Sequence, residues 1–135
     1  LLFSDTNYIV YSFVEGEFIL DYFEKNSKEK IKRVLKNLFE QCYVLDQLQV
    51  QKEEMHRPIK HVLIGKKITM LDFERCYARK NPHNVTQFVE FVCRIKKLLK
   101  KKGFSFKVLE LRKLAKGYSN NKSKNNLHNI IKKIQ

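Results

Sequence analysis

Residues 61 to 76 read H-V-L-I-G-K-K-I-T-M-L-D-F-E-R-C, and the reading of this stretch decides the fold. Two short apolar runs, His61 to Ile64 and Ile68 to Leu71, flank Gly65-Lys66-Lys67. A glycine between two β-prone runs is the pattern of a tight β-hairpin. The second run delivers Asp72 at its end. A carboxylate placed where a buried strand opens into a cleft is a common way to hold a metal ion, because the strand is rigid and the following loop leaves room for a ligand. A plain turn aspartate satisfies the same short pattern, so the neighbouring segments have to decide between the two.

Directly upstream, Gln49 to Lys60 is the longest polar, irregular stretch in the first half and contains Glu53, Glu54, His56, Arg57 and Pro58. Because it runs straight into the hairpin, it must pass close to Asp72. Before it, Ser27 is a good N-cap, and Ile31, Val34, Leu35, Leu38, Cys42 and Leu45 recur at three- and four-residue steps. That spacing puts them on one face of a long helix, the expected hydrophobic spine. Tyr8 to Val14, Y-I-V-Y-S-F-V, reads as a buried strand, with Leu1 to Phe3 as its hairpin partner across Ser4 to Asn7. Glu15-Gly16-Glu17 then breaks the chain before a short helix over Phe18 to Phe23.

Downstream, Asn81-Pro82 closes a polar loop, and Asn84 is placed to N-cap the next helix. Val85 through Leu99 is apolar enough to be buried for most of its length. Lys96 to Lys102 makes its last turns cationic, which suits the negative end of the helix dipole, and Gly103 is a natural stop. Ser105 is placed to cap a helix carrying Val108, Leu109, Leu111 and Leu114. Gly117 to Asn126 reads as a Ser/Asn/Lys linker, and Leu127, Ile130, Ile131 and Ile134 as a last amphipathic helix, loosely docked. No internal repeat is visible.

The chain of 135 residues suits one compact domain, and 43% hydrophobic residues, with ten Phe and six Tyr, indicate a folded protein. It has no apolar run long enough to span a membrane and no secretory leader pattern, so cytoplasm is the expected location. Three cysteines at wide spacing, Cys42, Cys76 and Cys93, suit a reducing compartment rather than a disulfide framework or a zinc site. Lys and Arg number 28 against 14 Asp and Glu, a net charge of +14. Such a field attracts polyanions such as nucleotide phosphates or RNA. A lysine-favouring genome or a hot habitat produces the same excess.

The order of strand and glycine connector, long helix, polar carboxylate loop, and hairpin ending in Asp-Phe-Glu resembles the C-terminal two-thirds of a protein-kinase-like domain over roughly residues 1 to 100. Y-I-V-Y-S-F-V-E-G-E-F-I-L-D-Y-F resembles the last strand of the small lobe, the hinge and the first helix of the large lobe. L-D-F-E-R-C resembles the Asp-Phe-Gly metal-binding segment, with Glu74 in place of glycine. E-M-H-R-P-I-K-H-V, then L-D-F-E-R and N-P-H-N-V-T-Q-F, is similar to a group of small predicted Ser/Thr kinases of archaea, relatives of the Rio and Bud32 kinases. The resemblance implies an α+β, protein-kinase-like architecture: the end of the small lobe and hinge strand over 1-14, a mostly helical large lobe with the hairpin at its active site over 15-116, and a basic linker and C-terminal helix over 117-135.

It also implies an ATP- and Mg²⁺-dependent phosphotransferase acting on a protein hydroxyl, or an ATPase as in those relatives. Asp72 would hold Mg²⁺ bridging the nucleotide phosphates. Glu54 falls at the place of the catalytic base, although Lys52 and Glu53 precede it rather than His and Gly, which keeps Glu53 as the next candidate. His61 falls near the second metal-ligand position, where imidazole suits a hydrogen-bonding or phosphate-contacting role better than magnesium ligation. Lys60 and Arg57 could meet phosphate, and backbone groups of Ser12 and Val14 would hydrogen-bond adenine. The glycine-rich loop, strand lysine and helix glutamate of such a domain are expected before Leu1, so this stretch alone is expected to be inactive. The other reading is a catalytically inactive kinase-like module that binds RNA or a ribonucleoprotein through Lys96 to Lys102 and the Lys113 to Lys133 tail.

Overall fold

The hairpin forms where the pattern places it. In the computed structural model, which describes residues 2 to 134 with the Ile9 side chain excepted, the chain runs as follows. Strands β1 (Phe3–Ser4), β2 (Ile9–Val10) and β3 (Glu17–Phe18) lead into helices α1 (Ile19–Lys25) and α2 (Lys28–Gln47). Strand β4 (Val50–Gln51) and one 3-10 turn (Glu53–His56) precede the hairpin strands β5 (Val62–Ile64) and β6 (Ile68–Met70). Strand β7 (Tyr77–Ala78) and helices α3 (Asn84–Arg94), α4 (Lys96–Lys101), α5 (Val108–Asn120) and α6 (Lys124–Lys133) complete an α+β fold. All strand pairs are antiparallel, in sheets β1-β2, β3-β5-β6 and β4-β7. Among the described residues, no helix is long and apolar enough to cross a membrane.

The core lies between α2 and the helices of the C-terminal half. Ile31, Val34, Leu35, Leu38, Phe39 and Cys42 of α2 are buried along one face, as the helical spacing requires. Phe39 meets Phe88 of α3 edge-on at 4.7 Å, a favourable aromatic geometry. Leu127, Ile130 and Ile134 lie in the same buried cluster, and each such side chain is worth about 1.5–3 kcal/mol when withdrawn from water. The last helix is therefore part of the core, and the expectation of loose docking is corrected.

Other expectations also change. Among the described residues, only Ile9–Val10 of the Tyr8 to Val14 run is strand, and Tyr11 to Phe13 are exposed, Phe13 at 89%. Leu1, part of the expected partner strand, lies outside the described residues. The expected long helix after Val85 divides at Ile95, whose ψ of 14° is not helical, and Gly103 stops α4 with φ +89°. Lys107, not Ser105, precedes α5. The expected linker at Gly117 is helical through Asn120, because Tyr118 is fully buried and that burial outweighs the intrinsic cost of a helical glycine. The true connection is Asn121 to Ser123, and Ser123 caps α6 by accepting the Asn126 N–H.

Two glycines hold the N-terminal connector against the hairpin. A Cβ on Gly65 would lie 2.2 Å from the Glu15 carbonyl oxygen, and one on Gly16 would lie 2.9 Å from the Ile64 carbonyl carbon. Only glycine permits backbones to approach this closely. This contact continues into the β3-β5 pairing, Glu17 opposite Ile64 and Phe18 opposite Leu63, and so places residues 11 to 14 beside the hairpin's far end.

Candidate functional site

The polar loop is anchored from beneath by a buried network. Asp46, on the last turn of α2, is 3% exposed. Its carboxylate accepts hydrogen bonds from Asn84 N (2.9 Å), Asn84 Nδ2 (2.8 Å), Val85 N (3.3 Å) and the Tyr118 hydroxyl (3.0 Å). Burial pushes the Asp46 carboxyl above its ordinary value, and these hydrogen bonds pull it back only in part. Burial likewise pushes the Tyr118 hydroxyl up, helped by the Asp46 charge. Asn84 also donates to Val50 O (2.7 Å) and accepts from Lys52 N (2.8 Å). Gln51 accepts the His83 N–H at 2.7 Å. His83 rather than Asn84 precedes α3, and Asn84 is a fully buried tie that fixes residues 50 to 52 to α2 and α3.

From that anchor the chain enters the site. Lys52 is 0% exposed, and its Nζ donates to Asp72 O (2.7 Å) and Glu54 Oε2 (3.1 Å) while lying 4.7 Å from the Phe73 ring centre. Burial raises the Glu54 carboxyl, but hydrogen bonding and the Lys52 charge outweigh it, so the net direction is below the ordinary value. Glu54 is therefore ionised at neutral pH, with one oxygen taken by Lys52. Glu53 faces a different set of groups: it accepts the Tyr77 hydroxyl at 2.5 Å, and Arg79 Nη1 lies 3.4 Å from that hydroxyl.

Asp72 follows β6 with φ +59°. Aspartate is one of the few residues with a Cβ that enter the left-handed region readily, and Gln49, outside the site, has a positive φ of 56° as well. The Asp72 side chain is 48% exposed, and His61 Nδ1 lies 2.9 Å from its Oδ2. Asp72, Phe73, Glu74 and Thr69 to Leu71 form one wall of a cavity of about 710 Å³, and Tyr11, Ser12 and Val14 form the other. That volume accommodates a nucleotide-sized ligand.

The structure thus brings together Asp72 and His61 directly, Glu54 through Lys52, and Ser12 and Val14 across the cavity. Lys60 is exposed on the turn before β5 and, like His61 and Glu54, is not among the residues lining the cavity. Arg57 is exposed at the end of the 3-10 turn. Among the described residues no group of three His, Cys, Asp or Glu side chains is arranged to hold a metal. The donor chemistry nevertheless fits magnesium delivered with a nucleotide, since Mg²⁺ keeps several waters and needs one or two carboxylates beside phosphate oxygens. Asp72 is the carboxylate available, with Glu74 on the same rim.

Sequence reasoning missed Asp46 and the buried hydrogen bonds of Asn84, and took Lys52 only as a departure from histidine. A signal for Asp46 was present, because it lies four residues after the buried Cys42 on the apolar face of α2. Its partners are 38 and 72 residues away, which local spacing does not reveal. Compared with known protein families and with characterised proteins, the sequence matches none.

Proposed function

We propose that this chain carries the larger part of the site of an ATP- and Mg²⁺-dependent phosphotransferase of the protein-kinase-like type, which transfers the γ-phosphate to a Ser or Thr hydroxyl of a protein. The observation that supports this most directly is Asp72 on the wall of the cavity, paired with His61 at 2.9 Å and in a left-handed backbone conformation. In this reading Asp72 holds the metal and His61 orients its carboxylate by a hydrogen bond. A bound Mg²⁺ supplies charge neutralisation of the phosphates. The backbone of Ser12 and Val14, on the opposite wall, meets the adenine. Glu54, whose Oε2 is taken by Lys52, takes the proton of the acceptor hydroxyl on its other oxygen.

The direct test is Mg²⁺-ATP binding and phosphotransfer by the full-length protein, beside Asp72→Ala and Glu54→Ala. Loss of transfer in both variants is expected. Unchanged transfer in Asp72→Ala would overturn the metal assignment, and full rate in Glu54→Ala alone would move the base to Glu53.

A second reading, an inactive module that binds RNA through its basic surface, is favoured by the lysines of residues 96 to 102. None of them lies within ion-pair distance of a carboxylate among the described residues. RNA affinity that falls steeply with salt, without ATP turnover, would support this reading over the first.

A further inference from the structure

We propose that Lys52 is a positioning residue for the candidate metal carboxylate: it clamps the backbone at Asp72 in the left-handed conformation that sets this side chain on the cavity rim. The inference rests on the phosphotransferase reading of the same site and assigns a role to a residue that reading does not use.

A fully buried ammonium is unfavourable unless its donors are satisfied. Lys52 Nζ has three N–H groups. It donates to the Asp72 carbonyl oxygen at 2.7 Å and to Glu54 Oε2 at 3.1 Å, and lies 4.7 Å from the Phe73 ring centre. A side chain that only filled space here would not need a charge, and one that only neutralised Glu54 would not need the Asp72 carbonyl. The hydrogen bond falls on the one residue of this loop whose φ is positive, at +59°.

The clamp is anchored in the core rather than in the exposed loop. Lys52 N donates to Asn84 Oδ1 at 2.8 Å, and Asn84 in turn donates to the buried Asp46. Asp72 is therefore held at two points, its carbonyl by Lys52 and its carboxylate by His61 at 2.9 Å. The packing around Phe73 does not replace this restraint, since that ring is half exposed. Removal of the ammonium frees the Asp72 backbone while the opposite wall, Tyr11 to Val14, and the β5-β6 hairpin keep their own contacts. The consequence should fall on the metal-dependent part of nucleotide binding and not on the nucleotide alone.

The test is Lys52→Met in the full-length protein, a substitution of similar length, with ATP affinity measured with and without Mg²⁺ and thermal unfolding followed alongside. Metal-free ATP affinity should stay close to wild type, while the gain in affinity from Mg²⁺ should fall about tenfold or more, as for other residues that orient a metal ligand. An equal loss with and without Mg²⁺ would show a general packing role and overturn the inference, as would an unchanged Mg²⁺ dependence. If Lys52→Met fails to unfold cooperatively, Lys52→Met/Glu54→Gln, which removes the stranded carboxylate, is compared with Glu54→Gln alone for the same Mg²⁺ dependence. Wild-type protein that binds no Mg²⁺-ATP would overturn the phosphotransferase reading and the clamp with it. Wild-type binding with an indifferent Lys52 variant would overturn the clamp alone.

Discussion

Two aspartates mark the two halves of this molecule. Asp46 is buried at the end of α2 and accepts four hydrogen bonds. Asp72 is half exposed after β6, has His61 as its side-chain partner and sits on a backbone with φ +59°. The first carboxylate has its lone pairs occupied by protein donors and has no capacity left for a ligand. The second keeps an oxygen available beside a cavity, on a backbone whose carbonyl is held by Lys52. The contrast teaches that hydrogen-bond saturation, more than the presence of a carboxylate, separates a structural tie from a candidate site.

The comparison breaks most visibly through Asp72. Asp72→Ala should lower phosphotransfer by roughly 10³-fold, about 4 kcal/mol of transition-state stabilisation, while the thermal midpoint changes little. Kinetics and calorimetry on the same preparation check both parts, and a large fall in the midpoint would place Asp72 with the structural ties.

Asp46→Ala should show the reverse. It strands buried donors on Asn84, Val85 and Tyr118, and a loss of about 3–5 kcal/mol in stability is expected from chemical denaturation. Stability near wild type would mean that the network does not anchor the loop.

Gly65→Ala tests whether the connector must touch the hairpin. Its Cβ would meet the Glu15 carbonyl, a backbone atom that cannot swing aside, so about 1–3 kcal/mol should be lost. Metal-free ATP affinity should fall as well, because the Tyr11 to Val14 wall moves.

The smallest effect is one of pH. Asp46 has a native value raised above the ordinary 3.8, so its contribution to stability is fully present below the unfolded value and fades as pH rises through the raised one. Glu54 has a native value lowered below the ordinary 4.5, so its contribution is present above that value and is lost as pH falls through the lowered one. A carboxyl NMR titration should therefore find the Asp46 midpoint above 3.8 and the Glu54 midpoint below 4.5. An Asp46 midpoint below 3.8 or a Glu54 midpoint above 4.5 would remove the electrostatic distinction between the two regions.

Much of the site's skeleton was legible because it is local. The Gly65 turn between two apolar runs specifies the hairpin, and its end delivers Asp72. The three- and four-residue spacing of Ile31 to Cys42 specifies the buried face of α2. The helical Gly117 was not legible, since the burial of Tyr118 decides it against local propensity.

By itself, then, the sequence determined the hairpin, the apolar faces of the helices and the position of Asp72 at a strand end, all consequences of periods and turn chemistry within a few residues. Only the tertiary structure decided that Lys52 would be buried under Asp72, that Asn84 would tie the loop to Asp46, and that Glu53 and Glu54 would face different partners. Those outcomes depend on satisfying buried polar groups across 20 to 72 residues of chain, and no local pattern encodes which distant donor meets which acceptor.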